Sequence, residues 1–556
     1  MFEARCAAIG TAMQRAWPEP GTRIVSSTYR PAGITPATPG PPGMAMPAVA
    51  LPAHCDLIGT MHERTGSDGQ HYAIRFHLRL PEEWNNRFFF QGGGGSDGEI
   101  GDAIGRLSGN VTPALAQGFA VLSQDAGHDN VTNSIVDRGG PAAFGFDPQA
   151  RADFGGASLA PVTRAAKAII AHFYGAAPRF SYFVGCSKGG QEGMVLAQRH
   201  PELYDGIVAG APGFSLPRAA LAEAWDTQSF AQVARAKGQQ VTPATLAATF
   251  SDADLGLVRK AVLDACDADD NLRDGMVGDF RRCTSAKVLP ALARSTCSGS
   301  KRNSCLSVAQ VRALIRVHDG VRTTTGKPLY AGFPWDAGWS DMGWRIWKIG
   351  SADGHIPAIN ILLGAPTLAT TFTVPPKAPG PGIDALLAYH LSFDFDRDAR
   401  AIYATGNGYP RSGWQDVGAR SPDLAAFRKR GGRMVVPQGV SDPVFSINDT
   451  IAWWNEVNRA AQGRAADYVR VFPVPGMNHC SGGPATDRYD AFAALVDWVE
   501  GHKPPASLAA TSGPQTPWPE RQRPICAYPT YARYRGSGSP DDARSFTCVA
   551  PSRKAS

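Results

Sequence analysis

A serine, an aspartate and a histidine follow one another along the chain as Ser187, Asp442 and His479. This is the order in which one class of α/β protein carries a nucleophile, an orienting acid and a general base. Ser187 lies in Gly185-Cys186-Ser187-Lys188-Gly189, directly after the apolar run Tyr182-Phe183-Val184 and before a helical pattern over residues 190–199. A strand that enters such a turn and a helix that leaves it would hold the serine on a strained corner with its hydroxyl exposed. The first N–H groups of the helix would then face a developing oxyanion. The chemistry is acyl transfer through a covalent serine intermediate. By itself G-x-S-x-G is a weak signal, because glycine-rich strand-to-helix turns also occur as plain structural turns.

The other two residues stand where that chemistry needs them. Asp442 ends Gln438-Gly439-Val440-Ser441-Asp442, after an apolar strand over 432–437, and His479 ends Pro475-Gly476-Met477-Asn478-His479, after a strand over 468–474. Cys186 immediately precedes the serine and Cys480 immediately follows the histidine. A disulfide between them would hold their Cα atoms about 5.5–6 Å apart and bring the neighbouring side chains within hydrogen-bonding reach. Two unrelated structural cysteines would not be expected to fall at both places.

The elements that must position these residues read as a parallel α/β pattern. Residues 71–80 alternate apolar and polar as a half-buried strand. Residues 87–91, RFFFQ, form a short buried strand that opens into Gly92-Gly93-Gly94-Gly95-Ser96-Asp97-Gly98. A glycine loop after an early strand supplies one oxyanion N–H in this class of fold, and the residue after the nucleophile supplies the other, here Gly95 and Lys188. A further strand spans 119–124 and a helix 160–174. His128, just past the third strand, reads as a structural residue near the sheet rim, since one general base suffices and His479 is better placed. The fold class is α/β, an α/β-hydrolase fold with a large inserted lid domain. Residues 1–213 and 423–556 form the two parts of the catalytic domain and residues 214–422 the lid, where strand–helix alternation stops and Trp335, Trp339, Trp344 and Trp347 gather.

Composition sets the outer limits. The chain has 556 residues, of which 43% are hydrophobic and 19% charged, enough for a large core. Its 55 basic and 49 acidic residues leave a net charge of +6 with no basic cluster interleaved with aromatics, so nucleic acid is not an expected partner. No apolar run reaches the roughly 20 residues that cross a bilayer, and the opening MFEARCAAIGTAM lacks the pattern of a secretion signal. Ten cysteines in local couples, with no C-x-x-C pair, predict five disulfides and a secreted or periplasmic protein. Residues 20–55, rich in Pro, Ala and Gly, read as an extended surface segment tied down by Cys6 and Cys55.

Within the lid, Cys266-Asp267-Ala268-Asp269-Asp270-Asn271-Leu272-Arg273-Asp274-Gly275-Met276 places carboxylates at 267, 270 and 274 around a turn. They could converge on one hard cation, calcium being the natural occupant, or form an acidic solvated turn. The bracketing Cys266 and Cys283 favour the rigid, metal-binding reading.

Taken together, the glycine loop after FFFQ, GCSKGGQEGM, YDGIVAGAPG, the acidic loop, SDPVFS, VPGMNHCSGGP and the tail ARYRGSG resemble the tannase/feruloyl esterase family over nearly the whole chain. The resemblance implies Ser187 as nucleophile, His479 as base, Asp442 as its orienter and the N–H groups of Gly95 and Lys188 as the oxyanion hole. It implies calcium on Asp267, Asp270 and Asp274 with the carbonyls of Leu272 and Met276. It also implies disulfides Cys6–Cys55, Cys186–Cys480, Cys266–Cys283, Cys297–Cys305 and Cys526–Cys548. The implied activity is a serine carboxylic-ester hydrolase acting, as a monomer, on small-molecule esters of hydroxycinnamic, gallic or hydroxybenzoic acids. Trp347 and Phe445 are the expected walls around a flat acyl group.

Three positions depart from the family pattern. Lys188 stands where the branch that cleaves terephthalate monoesters carries an acid, and Asn271 replaces a glycine of the calcium loop. Residues 355–366 contain no arginine where that branch grips a free carboxylate, with Ile359 at the loosely corresponding place. The competing readings are such a terephthalate monoester hydrolase, an acyltransferase, and a non-catalytic hydrolase-fold binding protein.

Overall fold

A computed structural model describes residues 1–14, 17–36, 48–107 and 111–551. Its centre is a nine-stranded sheet formed by β1 (Arg23–Arg30), β2 (His54–Thr65), β3 (His71–Pro81), β4 (Arg87–Gln91), β5 (Ala120–Gln124), β6 (Phe180–Cys186), β7 (Gly206–Gly210), β8 (Arg433–Gly439) and β9 (Val469–Val474). Their spatial order is β1-β2-β3-β5-β4-β6-β7-β8-β9. The β1–β2, β2–β3 and β3–β5 pairs are antiparallel, and every pair from β5 to β9 is parallel.

The parallel strands are apolar along their central positions because both faces of the sheet are covered. In β4, Phe88 and Phe90 join the core beneath helices α1 (Leu159–Tyr174) and α2 (Lys188–Arg199). Phe89, with Tyr182, Val208, Val435 and Phe472, meets Phe492, Leu495 and Trp498 of helix 491–501 on the opposite face. This period of two is what a strand buried on both sides must show. Because β4, β6, β8 and β9 run parallel, the loops at their carboxyl ends emerge along one edge of the sheet. Those loops are the glycine run, the Ser187 corner, the Asp442 loop and the His479 loop.

The stretch 20–55, expected as an extended surface segment tied down by Cys6 and Cys55, contains the outermost strand of the sheet, with no buried residue along it. The residues RIVSSTYR of β1 are β-branched and aromatic enough to pair with β2, although the neighbouring prolines and glycines dominate the composition. Residues 37–47 of that stretch lie outside the described residues.

Residues 214–422 contribute no strand to the main sheet. They begin with the 21-residue helix α3 (Leu216–Ala236), and their interior holds the buried trio Trp335, Trp339 and Trp344, whose ring centroids lie 5.0 and 5.3 Å apart along the row. Polar ties bind this insertion to the loops it overlies. The Asp336 carboxylate accepts from Ser441 Oγ at 2.6 Å and from Gly476 N–H at 2.7 Å, and Asp341 accepts from Asn478 Nδ2 at 2.7 Å. All ten cysteines are paired, as Cys6–Cys55, Cys186–Cys480, Cys266–Cys283, Cys297–Cys305 and Cys526–Cys548.

Candidate active site

Ser187 occupies the corner between β6 and α2 with φ 65° and ψ −120°, a conformation that side chains rarely adopt and that persists only when its surroundings hold it. They do so through the backbone. Ser187 N–H donates to Gly210 O at 3.0 Å, and Ser187 O accepts from Gly213 N–H at 3.1 Å and Gln191 N–H at 3.0 Å. The flanking glycines are required by contact: a Cβ on Gly189 would lie 2.7 Å from Gly93 O, and one on Gly190 would lie 2.4 Å from Gly210 O.

From this corner a hydrogen-bonded chain runs through the histidine to the aspartate. Ser187 Oγ lies 2.8 Å from His479 Nε2, and His479 Nδ1 lies 3.0 Å from Asp442 Oδ2. The other oxygen of Asp442 accepts from the N–H groups of Val444 at 2.8 Å and Phe445 at 3.0 Å, which fixes the carboxylate. With Asp442 accepting at Nδ1, the proton of the neutral ring belongs there, and Nε2 is left to accept from the serine hydroxyl. The disulfide Cys186–Cys480 closes the arrangement, with Cα atoms 6.1 Å apart.

The glycine loop and α2 meet beside the hydroxyl. Lys188 N–H, the first of the helix, has no intrahelical acceptor and lies at the end of α2 where the helix dipole favours negative charge. Gly93 N–H is engaged by Glu192 Oε2 at 3.0 Å, whereas Gly95, with φ 60°, borders the cavity and has open space on its side-chain side. The Lys188 side chain turns inward instead. It is 1% exposed, lies 3.2 Å from Glu192 Oε1 and 3.7 Å from Asp97 Oδ1, and sits over the Phe154 ring at 4.6 Å. Burial raises the Asp97 carboxyl well above the usual carboxylate range, against the opposing pull of Lys188.

The cavity in front of Ser187 has a volume of about 520 Å³. Trp347 and Phe445 stand on its wall, each edge-on to the His479 ring at 5.3 Å, together with Leu216, Leu363 and Phe372. His128 lies elsewhere, buried and stacked on Phe144 at 3.8 Å. Burial depresses its pKa to about 3, so it stays neutral.

The acidic loop is held between Cys266 and Cys283, with Asp267 and Asp270 buried. Burial, and repulsion from Asp274 and Asp267, pushes the Asp270 carboxyl up to about 8. Three carboxylates crowded into one turn match the donor chemistry of a hard cation. Asp274, however, turns to Arg523 and Arg521, and among the described residues no group of three His, Cys, Asp or Glu side chains is arranged as a ligand set.

Sequence reasoning missed four of the side chains that shape the site. Asp336 and Asp341 brace the loops of the acid and the base from 100 to 140 residues away, and nothing in their local sequence marks them. Glu192, which holds Gly93 and Lys188, could have been found as the i+4 partner of Lys188 on the helix after the nucleophile. Glu223, on α3, faces the cavity from an insertion whose path the sequence did not reveal.

Strand order, corner and hydrogen-bonded chain define an α/β-hydrolase. A family model described as tannase and feruloyl esterase matches residues 55–549; the chain belongs to that family, and the protein is a carboxylic ester hydrolase. It is 44% identical to the mono(2-hydroxyethyl) terephthalate hydrolase of Piscinibacter sakaiensis, over 96% of this chain and 90% of that protein. It is 23% identical to feruloyl esterase B of Aspergillus niger, over 90% of this chain and 88% of that protein. The crystal structure of feruloyl esterase B from Aspergillus oryzae superposes with a TM-score of 0.74 at 21% identity, covering 99% of this chain and all of that one, and so shares the fold.

Proposed function

We propose that this protein hydrolyses esters of aromatic acids, of the feruloyl, galloyl or hydroxybenzoyl type, through an acyl-enzyme on Ser187. The observation that carries the reading is the Asp442–His479–Ser187 hydrogen-bonded chain opening onto a cavity walled by Trp347 and Phe445. His479 Nε2 takes the hydroxyl proton as Ser187 Oγ bonds to the ester carbonyl carbon, and Asp442 stabilises the imidazolium that forms. The carbonyl oxygen becomes an oxyanion on the N–H groups of Gly95 and Lys188. Collapse breaks the bond to the alcohol, which leaves with the proton from His479. Water, deprotonated in turn by His479, then releases the acid and restores the serine. The aromatic walls suit a flat acyl group by edge and face contacts.

A second reading, hydrolysis of mono(2-hydroxyethyl) terephthalate, is favoured by the 44% identity to the Piscinibacter sakaiensis enzyme. The cavity lining weighs against it, since Lys188, the one cation that lines it among the described residues, is engaged by Glu192. Calcium on Asp267, Asp270 and Asp274, with the carbonyls of Leu272 and Met276, would neutralise the crowded loop and anchor the insertion. Five disulfides support an oxidising compartment, extracellular or periplasmic. The test is turnover of methyl ferulate, methyl gallate and mono(2-hydroxyethyl) terephthalate by wild type and Ser187→Ala, with covalent labelling by an organophosphonate. Loss of turnover and of label in the variant is expected, and retained turnover would sink the assignment.

A further inference from the structure

One side chain in the wall of the cavity takes no part in the acyl transfer. Glu223, on α3, is 7% exposed, and its carboxyl makes no hydrogen bond to any described residue; beyond the helix ladder, its backbone carbonyl accepts from Thr227 Oγ1 at 2.9 Å. The side chain is buried but its carboxyl opens on the cavity, so its hydrogen bonds are left to water or to whatever enters.

Its neighbours limit what that can be. Lys348 supplies the nearest positive charge, but its ammonium is paired with the buried Asp226 and rests over the Phe333 ring at 4.1 Å. Thr367 Oγ1 is turned to Leu363 O at 2.6 Å, and Lys188 to Glu192. Gly364 leaves the carboxyl its place, since a Cβ there would fall 1.9 Å from Glu223 Oε2. Burial, with Asp226 adding to it, raises the carboxyl to about 8, so at neutral pH it is a carboxylic acid that both donates and accepts.

A phenolic hydroxyl is matched to such a group, because it too donates and accepts. An anionic substituent would need a cation that is already engaged. Resting on the reading of Ser187 as the nucleophile of an aromatic esterase, we propose that Glu223 is a specificity-determining residue that pairs with a hydroxyl on the ring of the acyl group. The preferred substrates are then esters of hydroxylated aromatic acids, above their unsubstituted or carboxylated counterparts.

The test compares kcat/KM for methyl 4-hydroxycinnamate and methyl cinnamate in wild type, Glu223→Gln, Glu223→Leu and Gly364→Ala. Wild type should favour the hydroxylated ester by roughly tenfold to a hundredfold. The preference should survive largely in Glu223→Gln and collapse in Glu223→Leu. It should also collapse in Gly364→Ala, whose methyl displaces the carboxyl without changing it and so serves if the leucine variant fails to fold. Equal ratios in wild type and both disruptive variants, or no preference in wild type, overturn the assignment of Glu223 while leaving the esterase intact. Absence of turnover of both esters and of p-nitrophenyl acetate by wild type would instead remove the esterase reading beneath it.

Discussion

Cys186 and Cys480, 294 residues apart in the chain, are bonded with their Cα atoms 6.1 Å apart, and the side chains beside them, Ser187 and His479, meet at 2.8 Å. The bond ties the loop after β6 to the loop after β9 across the intervening β7 and β8. The disulfide therefore acts on the geometry of proton transfer as well as on stability.

Replacing both cysteines by alanine should lower stability by about 2–5 kcal/mol and cut kcat on the order of a hundredfold, because a small displacement of base from nucleophile is costly. Replacing Cys297 and Cys305, a loop closed over 8 residues, should leave kcat near wild type. Equal kcat in the two double variants, measured beside their melting curves, would count against a geometric role for Cys186–Cys480.

Asp442→Asn keeps an oxygen for the N–H groups of Val444 and Phe445 but turns the histidine tautomer the wrong way. A loss of about 10⁴ in kcat with little change in melting temperature is expected. A loss below tenfold would place the acid elsewhere.

Lys188→Met removes the one cation from the buried Glu192 and Asp97 carboxyls while leaving the backbone N–H of residue 188 in place. Breaking such a cluster should destabilise the protein by about 3–5 kcal/mol. Adding Glu192→Gln should recover part of that loss in thermal unfolding; strict additivity of the two changes would show that the groups are not coupled.

If calcium sits on the acidic loop, chelation should lower the melting temperature of wild type, by about 2.7 kcal/mol of stability at a hundredfold excess over Kd. Asp270→Asn should remove both the response and the bound metal seen by elemental mass spectrometry. A metal-free wild type with no chelator response would leave the loop as an acidic turn.

Glu223, raised from 4.5 to about 8 by burial and by Asp226 against the pull of Lys348, gives a pH dependence of known sign. Its folded-state pKa lies above the unfolded one, so its contribution is fully present below pH 4.5 and is lost as pH rises through 8. The melting temperature of Glu223→Gln relative to wild type should therefore rise between pH 6 and pH 9. A difference that stays constant over that window would show that the carboxyl is not held protonated.

The sequence alone carried the α/β pattern, the strand–corner–helix around Ser187 and the order of Ser187, Asp442 and His479. Each rests on local periodicity and turn chemistry, and the positions of Cys186 and Cys480 linked two of them over a long range. Only the tertiary structure decided which groups converge from separate segments. Asp336 and Asp341 reach the acid and base loops from the insertion, Glu192 holds Gly93, β1 joins the sheet edge, and Glu223 looks into the cavity without a partner. The physical reason is that burial and pairing belong to the folded neighbourhood. A carboxylate in a helix reads the same in the sequence whether it faces water, a lysine or a substrate, and in this protein that difference separates the machinery of the reaction from the choice of ester.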